Sequence, residues 1–207
     1  MGVNTGINSS LGTPYIQFGS TTSINDGVGA GGLNVDTFNG GQPHQTFPVS
    51  YSGITWGAAR TDYITALTLT SASFFDGGWF GPNNSGPGAS GTLAAGHLIE
   101  PMIQITLDGG TTWSSVPHTS DYVASMTGTP LPVAFGPPTI RTSQFTLTAP
   151  VSGVNGIRFI GLEGGTASGG FIGVTEIGVN AELVPEPASM ALAGMAGVLL
   201  LRRRRVL

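Results

Sequence analysis

The sequence predicts an all-β protein, a single β-sandwich or jelly roll followed by a short C-terminal hydrophobic helix. Three observations favour this fold class. Apolar and aromatic residues come in short runs, and 34 Gly and 14 Pro among 207 residues supply turns between them. The segment from Ile64 to Thr70 alternates apolar residues with Thr, which is the period of a strand with one buried face. Before the last 24 residues, no segment has a helical period.

Eight strands are predicted from these runs. Each run is short, and β-branched residues are frequent in the set, as expected of strands. In one of them Ile157 and Phe159 alternate with Arg158 and Ile160, again with a period of two. Eight short strands separated by Gly-rich turns are typical of a sandwich or jelly roll. The predicted strands are residues 15–18, 53–56, 63–72, 102–107, 112–116, 144–148, 156–162 and 171–181.

Two predicted turns share an Asp-Gly-Gly pattern, which begins at Asp76 and at Asp108. Asp-Gly supplies the positive φ angles that tight hairpins require. The second pattern lies between two predicted strands and therefore predicts a hairpin. The segments 82–91 and 127–138 are long for loops of a compact domain, which indicates surface loops with some functional freedom.

The charge distribution separates the body of the chain from its last residues. The sequence has no Lys, and four of its seven Arg stand together at 202–205. Residues 1–183 carry three Arg and ten acidic residues, a formal net charge of −7. A body this acidic cannot neutralise a run of phosphates, so no nucleic acid is expected as a partner. The sequence has no Cys, which excludes disulfides and thiolate chemistry.

Residues 184–207 form a unit of their own. Pro185-Glu186-Pro187 is followed by 14 apolar or small residues, 188–201, and then by the four Arg. As a helix the apolar run spans about 21 Å, which is short of the roughly 30 Å hydrocarbon core. The Arg cluster acts as a cytoplasmic stop that leaves the body outside. We therefore expect transient insertion of this tail into the inner membrane.

The tail resembles the PEP-CTERM sorting signal of Gram-negative and related bacteria, whose three parts occur here in the family's order and spacing. The resemblance implies cleavage near Pro-Glu-Pro by the exosortase, a membrane protease-transpeptidase, and a link to surface or extracellular-polysaccharide biology. Such proteins also carry a signal peptide, and residues 1–20 have no basic residue and no apolar stretch of seven, so we expect one encoded upstream. The residues that carry the resemblance are Pro185, Glu186, Pro187, Arg202, Arg203, Arg204 and Arg205.

The preceding residues, 1–183, are predicted to form one domain, and four of its motifs resemble the galactose-binding-like or discoidin-like sandwich. In that family a structural Ca²⁺ is often held between the loop after the first strand and the Glu of the last strand. The resemblance therefore implies Asp26 and Glu176 as metal ligands. The alternative is that Asp26 is a turn residue and Glu176 an exposed strand residue. The motifs are SINDG at 23–27, DGGTTW at 108–113, GIRFIG at 156–161 and VTEIGV at 174–179.

The residues best suited to glycan binding in this sequence are Asp76, Trp79 and Phe80. Aromatic faces stack on the apolar side of a sugar ring, while a carboxylate accepts hydrogen bonds from its hydroxyls. Core packing is the alternative for the aromatic residues. Trp113 is the weaker candidate, because a Trp after a hairpin often packs into the core.

Patterns typical of catalysis are scarce. The three His are scattered without metal-ligand spacing, and no nucleophile-elbow motif occurs. We therefore expect a non-catalytic surface or extracellular-matrix protein of the cell envelope that binds glycan or exopolysaccharide. The alternatives are a purely structural envelope protein and a hydrolase that uses paired carboxylates. The carboxylates available for such a pair are Asp62, Asp76, Asp108, Glu163 and Glu176.

Overall fold

The computed structural model describes residues 2–7, 37–40, 50–82, 85–134, 136–166 and 170–182, with side chains from Ser50 onward. These residues form twelve strands, a single-turn helix and a 3₁₀ turn. The helix α1 spans Tyr122–Met126, and the 3₁₀ turn spans Ala95–His97. The strands are β1 (Gly2–Ile7), β2 (Thr37–Gly40), β3 (Ser50–Thr55), β4 (Tyr63–Ser73), β5 (Gly77–Phe80), β6 (Met102–Thr106), β7 (Ser114–Val116), β8 (His118–Ser120), β9 (Thr139–Val151), β10 (Gly156–Gly161), β11 (Glu163–Gly165) and β12 (Phe171–Glu182).

The first sheet has five antiparallel strands in the order β1-β3-β10-β6-β7. Its middle strand, β10, pairs with β3 on one side and with β6 on the other, so that Arg158 faces both Gly53 and Gln104. The predicted hairpin after Asp108 joins β6 to β7, with Ile105 opposite Ser114. The order brings residues from three separate chain segments, β3, β10 and β6, side by side at the centre of this sheet.

The second sheet has the order β11-β5-β12-β4-β9-β8, and β2 also pairs with β12. Its pairs are antiparallel except for β12 with β5, which run parallel with Ile172 opposite Gly78. The last strand of the body, β12, therefore lies inside the sheet and pairs with β2, β4 and β5.

The core lies between the two sheets. Phe145 on β9 and Phe159 on β10 pack across the interface with ring centroids 4.8 Å apart. Leu67, Leu69 and Ile157 are also completely buried. Each such side chain contributes about 1.5–3 kcal/mol through its removal from water. Two sheets with their apolar faces together form a β-sandwich, which confirms the predicted fold class.

Each predicted strand that falls within the described residues overlaps an observed one, while the strand predicted at 15–18 lies outside them. Five of the described strands, β1, β2, β5, β8 and β11, were not predicted. The strand β5 was missed because its residues begin with two Gly, which are depleted in strands. Pairing with β11 and β12 makes that segment a strand. Tertiary contacts therefore override the local composition there.

The C-terminal helix predicted at 188–201 and the sorting motif lie outside the described residues. Within the described ranges, no helix combines the length and the apolar character that a membrane crossing requires. The division of the chain at residue 183 stays a prediction.

Candidate functional site

The sequence assigned Trp79 and Phe80 to a glycan-binding surface, and the structure places both in the core. Each side chain is 1% exposed. The Trp79 indole Nε1 donates a hydrogen bond to the His97 carbonyl at 3.0 Å. The Tyr122 hydroxyl accepts from the Phe80 N–H at 2.7 Å and lies 3.2 Å from the Phe80 carbonyl. Neither ring offers a face to a sugar, so this assignment is wrong: Phe80 packs against Tyr122 of α1, and Trp79 packs against Gly86 and Gly164.

Asp76 precedes this buried strand and is itself half-buried. Burial raises the pKa of its carboxyl above the ordinary value, partly offset by a hydrogen bond from its own backbone. Its carbonyl accepts a hydrogen bond from the Thr166 N–H at 2.9 Å. The residue therefore helps to join β5 to the turn after β11. Because Trp79 and Phe80 are buried, neither can act with Asp76 in binding a sugar ring.

The two predicted calcium ligands fall in different parts of the chain. Asp26 lies outside the described residues. Glu176 is half-buried on β12, opposite Thr70 and next to a bulge in the pairing with β4. Among the described residues, no three His, Asp or Glu side chains come together in a group that could hold a metal ion. A Ca²⁺ at Glu176 would therefore need its further carboxylate ligands, such as Asp26, from residues outside the described ranges.

The outer face of the first sheet carries a stack of three side chains, two from the strands β3 and β10 and one from the loop before β7. Arg158 alternates with the buried Ile157 and Phe159, so its side chain points away from the core. Its guanidinium carbon lies 4.5 Å from the ring centroid of Tyr51 and 4.3 Å from that of Trp113. We call these three residues, with the neighbouring Gln104, the Arg158 stack. Cations over Tyr and Trp faces are held by the ring quadrupole.

Local sequence builds this stack from both sides. Gly53 lies opposite Arg158 on β3, and a Cβ at Gly53 would come within 2.5 Å of the Arg158 Cβ. The glycine therefore leaves room for the arginine to lie across the sheet. On the other side, the β6–β7 hairpin delivers Trp113, whose Nε1 donates a hydrogen bond to the Gly110 carbonyl at 3.1 Å.

The hairpin that carries Trp113 is fixed by Asp108. Its carboxylate accepts hydrogen bonds from the Thr112 N–H and hydroxyl and from the Thr106 hydroxyl. These bonds, those of Thr112 first, lower the pKa of Asp108 to about 2. Gly109 and Gly110 follow with φ of +73° and +99°, values that favour glycine. The predicted turn role of Asp108 is confirmed.

The guanidinium of Arg158 is oriented but its charge is not neutralised by the described residues. Its Nε donates to Gln104 Oε1 at 2.8 Å, and no described residue accepts a hydrogen bond from either Nη. Of the two ion pairs in the described part of the chain, Arg60 with Asp62 and His118 with Glu100, neither includes Arg158. Burial lowers the pKa of Arg158 below its ordinary value, with a smaller opposite effect from Tyr51.

Beside the stack lies an open groove of about 450 Å³, lined by residues 100–102 and 115–118, which we call the edge groove. Met102, Val116 and the two prolines give it an apolar floor. At its polar end, His118 Nε2 lies 2.9 Å from Glu100 Oε1, and His118 Nδ1 lies 3.0 Å from the Val116 carbonyl oxygen. The volume falls within the range of small-ligand sites.

Ser115 connects the groove to the stack. Its side chain lines the groove, and its hydroxyl accepts a hydrogen bond from Gln104 Nε2 at 3.4 Å. The other end of the same amide accepts from Arg158. A chain of hydrogen bonds therefore connects Ser115 in the groove, through Gln104, to the guanidinium of Arg158.

The sequence missed most of this site. Tyr51, Gln104 and Arg158 stand in strands that are far apart in the chain, and Trp113 was expected to pack in the core. One signal was available: Arg158 is one of only three Arg in residues 1–183 and alternates with apolar residues in a predicted strand. An outward arginine on a sheet with few cations was therefore predictable, whereas its aromatic neighbours depended on the strand order.

Two comparisons with known proteins find a match to this chain, one to a sorting motif and one to a solved structure. Residues 183–205 match the PEP-CTERM protein-sorting motif, and this match confirms the predicted sorting tail. The motif implies a secreted surface protein whose C-terminal tail is processed at the membrane by exosortase. The predicted motif residues, Pro185 to Pro187 and the four Arg, all lie within the matched range.

Among solved structures, a chain of the Streptococcus pneumoniae beta-galactosidase BgaA superposes with a TM-score of 0.50 at 12% sequence identity. The match covers 88% of this chain and 99% of that chain. At this identity the likeness shows the fold alone, and it is consistent with the galactose-binding-like body that the sequence predicts. No curated protein matches the sequence.

Proposed function

We propose that this chain is a non-catalytic surface protein that binds extracellular polysaccharide through the edge groove and the Arg158 stack. The main support for the proposal is that hydrogen bonds through Ser115 and Gln104 connect the groove to the stack. Glu100, His118 and Ser115 supply hydrogen-bonding groups for sugar hydroxyls, while Met102 and Val116 supply an apolar floor for a ring face. The sorting motif supports the proposal because it implies delivery to the surface, where polysaccharide is found.

A non-catalytic role is supported by the contacts of the carboxylates that a hydrolase would use. Asp62 is bound by Arg60, and Asp108 fixes the β6–β7 hairpin. Glu163 is 2% exposed and accepts a hydrogen bond from the Ser50 hydroxyl at 2.6 Å. Each of these three groups has a local structural role that accounts for its position.

Calorimetric titration of the full-length chain in mild detergent against a panel of neutral and acidic polysaccharides tests the proposal. Glu100→Gln and Trp113→Ala should each weaken binding about tenfold, since each removes a charged or aromatic contact worth about 1–2 kcal/mol. Glu182→Gln, at the exposed end of β12, is the matched control and should bind as the unmodified chain does.

Failure of every polysaccharide to bind would contradict the proposal and favour a purely structural envelope protein. Release of reducing ends from any of them, abolished by a single Asp or Glu substitution, would instead show a hydrolase. Equal affinity of Glu100→Gln and Glu182→Gln would place the binding site away from the edge groove.

A structural Ca²⁺ held by Asp26 and Glu176 stays a prediction. If it is bound, it crosslinks β12 to the segment around Asp26, and its removal should lower the melting temperature by several degrees. Melting curves in excess Ca²⁺ and in excess chelator measure this. Equal melting temperatures in the two solutions would contradict a calcium ion in the fold.

A further inference from the structure

Two arginines in the described part of the chain stack on tryptophan rings, and they differ in whether a carboxylate pairs with them. Arg60 lies 5.2 Å from the ring centroid of Trp56, and Asp62 neutralises its charge in an ion pair. Arg158 lies against Trp113 and Tyr51, and within the described ranges no carboxylate pairs with it. The charge of Arg60 is therefore paired, whereas the guanidinium of Arg158 is held in place without a counter-ion among the described residues.

In the Arg158 stack, the edge of the guanidinium that carries the two Nη groups is available to bind a ligand. The two rings confine its plane, and Gln104 occupies Nε. The two Nη groups donate to no described residue. An arginine fork of this kind matches a carboxylate, which can accept two parallel hydrogen bonds. Because the guanidinium is half-buried, an anion that pairs with it also offsets part of its desolvation.

We propose that the Arg158 stack selects a polysaccharide that carries carboxylate groups, such as a hexuronate polymer. This inference rests on the proposed function and specifies its ligand class. The acidic sugar lies over Arg158, and its ring packs beside Trp113, which is half-buried. The adjoining sugar lies in the edge groove, where Glu100 accepts hydrogen bonds from its hydroxyls.

The overall charge of the body acts against an anionic ligand. Residues 1–183 carry a formal net charge of −7, which repels a uronate chain at long range. Screening confines this repulsion to about 8 Å at physiological ionic strength, whereas a partly buried contact is screened much less. At that ionic strength, the local contact with Arg158 therefore determines whether an anionic polysaccharide binds more tightly than a neutral one.

The test uses two forms of one polymer, polygalacturonate and its fully methyl-esterified form, which differ only at the carboxyl group, a charged carboxylate in the first and a neutral methyl ester in the second. Calorimetric titration of the full-length chain in mild detergent should give at least tenfold tighter binding of polygalacturonate. In Arg158→Gln the two forms should bind with similar, weak affinity. Arg158→Lys, which keeps the charge and loses the planar fork, should retain only part of the preference. Arg141→Gln on β9 is the matched control and should leave the ratio unchanged.

Equal binding of the two forms by the unmodified chain overturns the inference and leaves the proposed function intact. Binding of neither form, together with no binding of neutral polysaccharides, overturns both. A preference that survives in Arg158→Gln places the anion site elsewhere and also overturns the inference. Dextran sulfate compared with dextran separates carboxylate recognition from general anion binding, since a sulfate preference as large as the uronate preference contradicts the carboxylate assignment. The comparison of ligands needs only the unmodified chain, so it holds even where a variant fails to fold.

Discussion

Trp79 is held in the core by packing and by one hydrogen bond from its indole. Replacing it with Phe should lower the free energy of unfolding by about 2 kcal/mol, because the smaller ring leaves part of the space empty and the His97 carbonyl loses its donor. Replacing it with Ala should cost about 3–5 kcal/mol. Urea unfolding measures both values, with Val133→Ala, at a side chain that is 74% exposed, as a control expected within about 0.5 kcal/mol of zero. A loss below about 1 kcal/mol in Trp79→Ala would contradict its place in the core.

Glu163 is a buried carboxylic acid whose titration is coupled to folding. Burial raises its pKa above the ordinary value of 4.5, although the hydrogen bond from Ser50 acts in the opposite direction. The protonated form is therefore favoured in the folded chain. The stabilisation that this gives is complete below pH 4.5 and is lost as the pH rises through the folded-state pKa.

Glu163→Gln tests this linkage, because glutamine keeps an acceptor for Ser50 and does not titrate. The free energy of unfolding of the variant, relative to that of the unmodified chain, should increase between pH 4 and pH 8. Urea unfolding at several pH values measures the trend. A relative stability that stays constant or decreases over this range would show that the carboxyl is not protonated on folding.

At the scale of elements, the β6–β7 hairpin both closes a turn and positions Trp113. Asp108 accepts hydrogen bonds from Thr106 and Thr112, and its lowered pKa shows that these favour the carboxylate. Asp108→Asn should lower the melting temperature. The stabilisation by Asp108 is present above its ordinary pKa of 3.8 and is lost as the pH falls towards about 2. The difference in melting temperature between the two proteins should therefore shrink between pH 4 and pH 2, and a constant difference would contradict the assignment.

The elements also show how far sequence reasoning reaches. Strands with regular alternation, such as β4 and β10, were predicted because the buried face imposes a period of two. The roles of the three aromatic residues were exchanged: Trp79 and Phe80 fill the core, and Trp113 lies on the surface. Which face an aromatic residue takes depends on the sheet that its strand joins, and no local pattern near Gly77 or Asp108 contains that information.

At the scale of the whole molecule, the acidic body and the basic tail are separated along the chain. The sorting motif ends with the four Arg at 202–205, and by the positive-inside rule we expect them to stay in the cytoplasm. Replacing all four by Gln should therefore prevent processing in a host that has an exosortase. Mass spectrometry of the secreted protein measures the outcome: the unmodified chain should lose the residues after its Pro-Glu-Pro motif, and the variant should keep them.

Arg141→Gln in the body keeps the tail intact and should be processed normally. If the chain with four Gln is cleaved as efficiently as this control, the cluster has no part in sorting.

The position of β12 has a consequence for the order of events during export. It pairs with β2, β4 and β5 inside the second sheet, so that sheet closes only after the last strand arrives. Glu182 ends β12, and only two residues separate it from Pro185, a span of at most about 11 Å. We therefore expect the second sheet to stay incomplete until almost the entire body has been exported. The short connection also predicts that cleavage near Pro-Glu-Pro takes place within a few residues of the completed sheet.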